Sequence, residues 1–492
     1  MVDSVESSLD PSNWEDLRLL GHRMVDDMIA YLRDVRNRPV WQSPDADARA
    51  AFRKPLPHTG TSPEEIYRDV VDHVLPYPLG NIHPRYWAWM NGTGTPLGMF
   101  ADMLCSGMNS GAGGGDQIGI YVERQVLDWC KEMLGYPSIA TGVVVSGASI
   151  ANFIGLAVAR TAKAGFDVNR EGLHGRPQMT VYTSTETHPW VDRMVCQLGL
   201  GLSALRRVPV NDAYEMDIGA LRSAIDADRR AGRTPICVVA TAGAVNTGAF
   251  DDLAQLADLC ESEQLWLHVD AAFGAWVALT PLRDRVASLS RADSIAVDVH
   301  KWMHVPYGCA FALVRHPEVH ALTFSQLGPQ QTTRARAGIG STSAEPWPSE
   351  LGLELGRPMR ALKLWMTIRE HGVDGFAASI QQNLDQAAYL AEKIRSCAQL
   401  EVLAPVTLNI VCFRYRHPDI SEPDLNSLNQ QLLERLQDSG TVMISWVTMQ
   451  GRFALRAGIC NHRTRCEDLD FLVQEVQRVG GELLAARSTV AR

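Results

Sequence analysis

The sequence predicts an α/β protein with a mostly parallel central sheet, a helical N-terminal segment and a smaller α+β C-terminal domain, and three observations carry that expectation. First, the middle of the 492-residue chain repeats short apolar runs at 142–145, 180–182, 236–240, 265–269 and 294–297, each separated by an amphipathic stretch. Runs that are apolar throughout, rather than alternating, suit strands buried on both faces of a parallel sheet that helices cover. Second, beyond about residue 360 the texture changes to a long helical stretch, then strand-like runs at 409–413 and 453–455. A terminal helix is expected after Thr464-Arg465-Cys466-Glu467, which has capping-box spacing. Third, two helices are expected near the start. One opens at Asp10-Pro11 with Leu17, Leu20, Met24 and Met28 at helical spacing, and one opens at Ser62-Pro63 and ends before Pro76 and Pro78.

These readings divide the chain into an N-terminal helical segment at 1–82, a large α/β domain at 83–358 and a small α+β domain at 359–492. The N-terminal helices are too few to enclose a core, so they are expected to pack on another surface, a partner subunit being one candidate. The polar loop 326–350, rich in Gly, Pro, Gln, Ser and Thr, has the length and composition of a lid. A hydrophobic content of 46% supplies ample core, and a net charge of -10 without a long basic run points away from nucleic acid and towards small-molecule chemistry. The ten cysteines include no Cys-x-x-Cys pair and read as buried free thiols. An acidic N-terminus without a signal-type apolar stretch, and no run of roughly 18 apolar residues, lead to the expectation of a cytoplasmic protein with no membrane span.

Parallel sheets bind ligands beyond the carboxyl ends of their strands, so the residues just after each apolar run carry the functional signal. Lys301 follows the run 294–297 in Asp298-Val299-His300-Lys301-Trp302. A buried ammonium is costly, and desolvation lowers its pKa and turns the amine into a nucleophile for a carbonyl; a strand-end lysine that snorkels to water is the plainer alternative. Ser146-Gly147-Ala148-Ser149 precedes a helix and reads as a phosphate cradle or as an ordinary helix cap. Asp270 ends the run 265–269, where it suits a protonated ring nitrogen or caps the next segment. His188, after the run 180–182, suits the face of a planar ligand or a structural role. Together the four meet the needs of pyridoxal phosphate: a phosphate seat, a carboxylate for the pyridinium, a ring to stack and an amine for the aldehyde. His300 and His304, four apart, also have the spacing of a metal pair, but no glutamate lies between them, and no metal is expected.

In order and spacing, the motifs at 146–152 (SGASIAN), 268–275 (HVDAAFGA) and 298–302 (DVHKW) resemble the group II pyridoxal-phosphate decarboxylases, a family that includes aromatic-amino-acid, glutamate and histidine decarboxylases. The likeness runs from 83–87 to 453–463. It implies the type I fold of pyridoxal-phosphate enzymes, a homodimer, and decarboxylation of an L-amino acid, aromatic first and aliphatic next. By the same resemblance Lys301 forms the Schiff base, Asp270 pairs with the pyridinium, Ala272 lies against the ring and His188 stacks on the other face. Gly147, Ala148 and Ser149 with His300 hold the phosphate, Asp298 lies near the cofactor where several relatives carry Asn, and Asn246 is a neighbour. Lys301, His188 and Asp270 are the implied catalytic residues. The implied substrate wall follows His83-Pro84, with Tyr86 and Trp87 and then Trp89, Met90, Asn91 and Gly92. The loop 110–116, SGAGGGD, stands where aromatic-specific relatives carry bulky residues and is expected to reshape the pocket. Many aromatic-type relatives carry a lid tyrosine that returns a proton to the substrate, and here no tyrosine occurs between Tyr307 and Tyr389. Another acid, His188 or a group of the partner subunit, then takes that role, or oxygen intervenes and an aldehyde results. A catalytically idle cofactor-binding protein and a transaminase are the remaining alternatives.

Overall fold

Seven strands form the main sheet: β1 (Thr141–Val145), β2 (Met179–Ser184), β3 (Leu205–Val208), β4 (Thr234–Thr241), β5 (Trp266–Asp270), β6 (Ser294–Asp298) and β7 (Ala310–Val314). Their order is β1-β7-β6-β5-β4-β2-β3. The five strands from β6 to β3 are parallel, and β7 runs antiparallel to both β6 and β1. All five expected runs are strands. The computed structural model describes residues 8–325 and 346–490, so most of the loop expected to form a lid lies outside the described residues. The short Leu-Arg-Arg-Val segment of β3 carries two arginines on the sheet edge, where charge discourages further pairing.

Every residue of β2, β5, β6 and β7 is buried, because separate apolar cores cover the two faces of the sheet. The helix Ala148–Lys163 packs across β4 to β7 and buries Ala151, Ile154, Leu156, Ala157, Val158 and Ala159. Gly155 is required there, because a Cβ at that position would lie 2.3 Å from the His268 ring.

The outer edge of β1 is closed by an ion pair in place of a strand. Glu123 and Arg357 have side chains 2% and 1% exposed, and one guanidinium nitrogen lies 2.9 Å from both carboxylate oxygens. Glu123 Oε1 accepts the Val144 N–H at 2.9 Å, and Arg357 Nη2 donates to the Val144 carbonyl. The pair therefore neutralises itself and satisfies the backbone groups that an edge strand leaves open.

The second sheet contains β8 (Leu400–Val402), β9 (Ile410–Tyr415), β10 (Ser445–Met449) and β11 (Arg452–Gly458) in the antiparallel order β10-β11-β9-β8. The long helix Ala361–Ser396, broken at Gly372 (φ +64°), shares Ala361, Leu364 and Ile368 with a main-sheet core and Ala387, Leu390 and Ile394 with the core of the second sheet. Near the start, the second helix begins as expected, with a Ser62/Glu65 capping box on Pro63–His73. The first begins at Trp14 rather than beside Pro11, because Asn13 supplies the cap to the Glu15 N–H. The terminal helix Cys466–Val490 departs from the capping-box reading: Thr464 Oγ1 accepts from Trp87 Nε1 and donates to the Pro84 carbonyl, and Asp468 accepts the Arg465 N–H instead. All ten cysteines are free, and no described helix is long and apolar enough to cross a membrane.

Five histidines are held neutral by burial. His83 and His320 are pushed down to about 4, His268 and His462 to about 3, and His304 well below the ordinary value. Each folded value lies below the unfolded value near 6.5, so the unfolded chain takes up protons first as the pH falls. Stability is therefore full above that value and declines below it, by about 1.4 kcal/mol per histidine per pH unit. Asp251, raised by burial to about 6, acts in the opposite sense and offsets one of the five. The urea midpoint is expected to drop steeply between about pH 7 and about pH 5; a flat profile would show that these rings accept protons without unfolding.

Candidate active site

The carboxyl ends of β1, β2, β5 and β6 converge on a cavity of about 250 Å³. Its walls include Gly147, Ala148, Ser149, His188, Asp270, Ala272, Asp298, His300 and Lys301, which is every residue expected to hold the cofactor except Asn246.

Asp298, 2% exposed at the end of β6, organises the centre. Its Oδ2 lies 2.8 Å from Lys301 Nζ, and its Oδ1 accepts the Ala148 N–H at 2.7 Å. Burial alone would lower the Lys301 pKa, as the sequence reading expects. The adjacent Asp298, through its charge and hydrogen bond, and Asp270 outweigh burial and hold the amine above its ordinary range. Lys301 is thus stored as an ammonium, which corrects the expectation of a lysine neutralised by desolvation.

Asp270 ends β5 with both oxygens engaged: Oδ2 accepts Trp190 Nε1–H at 2.6 Å and Oδ1 accepts the Ala272 N–H at 3.1 Å. These bonds fix the plane of a carboxylate whose charge acts on both Lys301 and His188. His188 stands at the exposed mouth, with Nδ1 accepting the Trp190 N–H at 3.2 Å, so its remaining hydrogen is on Nε2. Protein packed behind the ring lowers its pKa by desolvation, against the pull of Asp270. His300 Nδ1 meets the Cys309 carbonyl at 2.9 Å and therefore donates, and its Cε1 edge lies 3.9 Å from the Cβ position of Gly147. The helix Ala148–Lys163 begins at Gly147, which has no side chain to cap it; the Asp298 carboxylate takes the Ala148 N–H, and Ser149 and Asn152 on its first turns line the cavity.

Several expected residues lie elsewhere. The Asn246 carboxamide donates to Glu186 at 3.1 Å, and Val245 takes the cavity wall instead. Of the expected substrate wall only Met90 reaches the cavity. Trp89 sits at a left-handed φ of +54° and is 56% exposed; Asn91 bridges Tyr86 and Tyr307; Gly92 packs on the His300 carbonyl, which a Cβ would strike. Tyr86 and Trp87 are buried in the core. The loop 110–116 does not line the cavity: a Cβ on Gly113 or Gly114 would meet the Leu355 carbonyl or the Trp347 ring, so these glycines permit close packing. His304 is turned towards Thr93 and His462, with Thr93 Oγ1 at 3.1 Å from His304 Nδ1 and 2.8 Å from His462 Nδ1, so it does not pair with His300 as a metal site. No group suited to a metal ion occurs among the described residues.

The sequence reading missed Trp190, Asn152, Thr241, Gly243, Val245 and Phe273 in the wall. Asn152 carried a legible signal, as a polar residue on an otherwise apolar helix face. Arg456 was missed too. It is 3% exposed on β11, donates from Nε to the carbonyl of wall residue Val245 at 2.7 Å, and has no partner for Nη2 among the described residues.

These features fit pyridoxal phosphate. The start of the helix Ala148–Lys163 and the buried Asn152 Nδ2, which has no partner among the described residues, offer donors to an anionic ligand, and Lys301 and Asp270 share one cavity with them. A family model described as the pyridoxal-dependent decarboxylase conserved domain matches residues 46–416. The aromatic-L-amino-acid decarboxylase of Bacillus atrophaeus is 31% identical over 491 residues, covering 97% of this chain and 98% of its own. That of Sus scrofa is 29% identical over 500 residues, covering 96% and 98%. The crystal structure of Oryza sativa TDC with PLP and tryptamine has the same fold, with a TM-score of 0.89 at 24% identity over 97% of this chain and 100% of that one. Matches of this extent show the family: the chain belongs to the group II pyridoxal-phosphate-dependent decarboxylases, carboxy-lyases that act on amino acids with pyridoxal 5'-phosphate as cofactor.

Proposed function

We propose that this enzyme decarboxylates an aromatic L-amino acid to the corresponding amine, with an aliphatic L-amino acid as the next candidate. The observation that carries the reading is one cavity shared by Lys301, Asp270 and the N-terminus of the helix Ala148–Lys163. The aromatic preference is supported by the names of the relatives and by Met90 and Phe273 in the cavity wall.

Pyridoxal phosphate, when bound, supplies the aldehyde for an amine and the electron sink for the bond that breaks. Gly147, Ala148 and Ser149, with His300 beside them, would hold its phosphate, and Asp270 would pair with its ring nitrogen. Trp190 and Ala272 prevent that carboxylate from turning away. Asp298 keeps a proton on Lys301 until the amine is needed. Arg456 is the carboxylate anchor of the substrate in this reading, being a buried guanidinium with a free donor beside Val245. Tyr307 is engaged with Asn91 at 2.6 Å and does not line the cavity; among the described residues, the Nε2 hydrogen of His188 at the mouth and the ammonium of Lys301 are the candidate sources of the returning proton in this reading. The absence of tyrosine from 308–388 favours a second reading, in which oxygen intercepts the reaction and the product is an aldehyde.

The assembly in this reading is a homodimer. Trp14, Leu17, Leu19 and Ile29 on the first helix and Met103, Leu104 and Met108 on Pro96–Met108 are exposed, and covering them with a second copy removes apolar surface from water.

Light scattering on the purified enzyme is expected to give twice the chain mass, and a monomer would remove the dimer. Lys301→Ala is expected to abolish the visible absorbance of covalently held cofactor and all carbon dioxide release. A panel of L-amino acids assayed for carbon dioxide, amine, aldehyde and peroxide is expected to give amine with aromatic substrates. Aldehyde and peroxide in equal amounts would favour the second reading, and no carbon dioxide from any of them would reject decarboxylation. Arg456→Met is expected to raise KM for the amino acid by roughly tenfold or more while leaving the cofactor absorbance intact; an unchanged KM would remove the arginine from the substrate site.

A further inference from the structure

We propose that Asn152 is a cofactor-positioning residue whose carboxamide N–H donates to an acceptor of bound pyridoxal phosphate, and that a hydrogen-bond chain through the sheet fixes the direction of that donor. The inference rests on the cofactor seat assigned above.

Asn152 is 1% exposed and lies four residues past Ala148 and three past Ser149, on the same face of the helix Ala148–Lys163. It lines the cavity together with Ser149, Trp190, Asp270 and Lys301. Its Oδ1 lies 2.7 Å from His268 Nε2; His268 Nδ1 lies 2.8 Å from Ser294 Oγ; and Ser294 Oγ lies 2.8 Å from Trp266 Nε1.

The chain has a direction. An indole N–H only donates, so Ser294 accepts from Trp266; a carboxamide oxygen only accepts, so His268 gives its Nε2 hydrogen to Asn152 Oδ1. The buried imidazole is neutral, so that is its one hydrogen, and the bare Nδ1 accepts the Ser294 hydroxyl hydrogen. The amide is thereby oriented with Oδ1 towards His268 and Nδ2 away from it. Asn152 Nδ2 is buried and has no partner among the described residues. Buried donors are seldom left unpaired, and the cavity is where this one can find an acceptor. Gly155 supports the arrangement, since any side chain there would displace the His268 ring.

Asn152→Asp retains an oxygen for His268 and removes the N–H, whereas Asn152→Leu removes both. The apo-protein would be titrated with pyridoxal phosphate, following tryptophan fluorescence, and the visible absorbance would be recorded at saturation. Both variants are expected to bind the cofactor roughly tenfold or more weakly, yet to develop the absorbance band at saturation. The melting temperature of Asn152→Asp is expected to stay close to that of the unaltered protein. Titration with pyridoxal and with inorganic phosphate identifies the acceptor: weakening confined to phosphate assigns it to the phosphoryl oxygens, and weakening of pyridoxal assigns it to the ring, either of which upholds the proposal. Cofactor affinity within about twofold of the unaltered protein in both variants would overturn it. Lys301→Ala separates the two readings, because an absorbance band that persists in that variant refutes the Schiff-base seat without altering the result for Asn152.

Discussion

The site depends on one buried carboxylate that serves two partners. Asp298 binds the Lys301 ammonium with one oxygen and the first N–H of the helix Ala148–Lys163 with the other. Without the cation the acid would be an uncompensated charge in a closed interior, and without the acid burial would discharge the lysine. The same bonds join three chain segments, the end of β6, the lysine loop and the start of the helix, so that amine and helix terminus are held in one frame. The flexible parts of a nucleophilic site are here the best anchored.

That frame is reinforced from outside. Glu123 and Arg357 bind both backbone groups of Val144, two residues before Ser146. An edge strand that leads directly into a ligand loop would otherwise be free to shift. Asp270 is restrained comparably by Trp190, which also sets the tautomer of His188 through its backbone N–H. One short segment, 188–190, therefore contributes to both the mouth and the floor of the cavity.

Much of this was legible because apolar runs and the residues that end them are local features. Lys301, Asp270, Asp298 and the segment 147–149 follow from strand positions, and the sheet brings strand ends together. The direction of β7 was not legible, since Ala-Phe-Ala-Leu-Val reads alike in either orientation. Nor was the fate of Asn246, Trp89 and Asn91, which turns on side-chain partners far away in sequence: Glu186 for the first, a left-handed backbone for the second, and Tyr86 with Tyr307 for the third. Thr464 shows the same limit, because its spacing suited a cap while its hydroxyl was taken by Trp87 and Pro84. The glycines at 113 and 114 were visible as small residues, but only the fold reveals that their missing side chains make room for Trp347 and a carbonyl.

The contact among Thr93, His304 and His462 has its own logic. A threonine hydroxyl owns a single hydrogen, yet here it touches the δ nitrogens of two neutral rings. The oxygen either gives that hydrogen to one ring and accepts from the other, or passes it to the Gly94 carbonyl at 3.4 Å and accepts from both, so at least one of the two imidazoles carries its hydrogen on Nδ1. The lysine loop and the turn after β11 thus meet at one oxygen atom, and the two imidazoles can never both leave Nδ1 bare while they touch it.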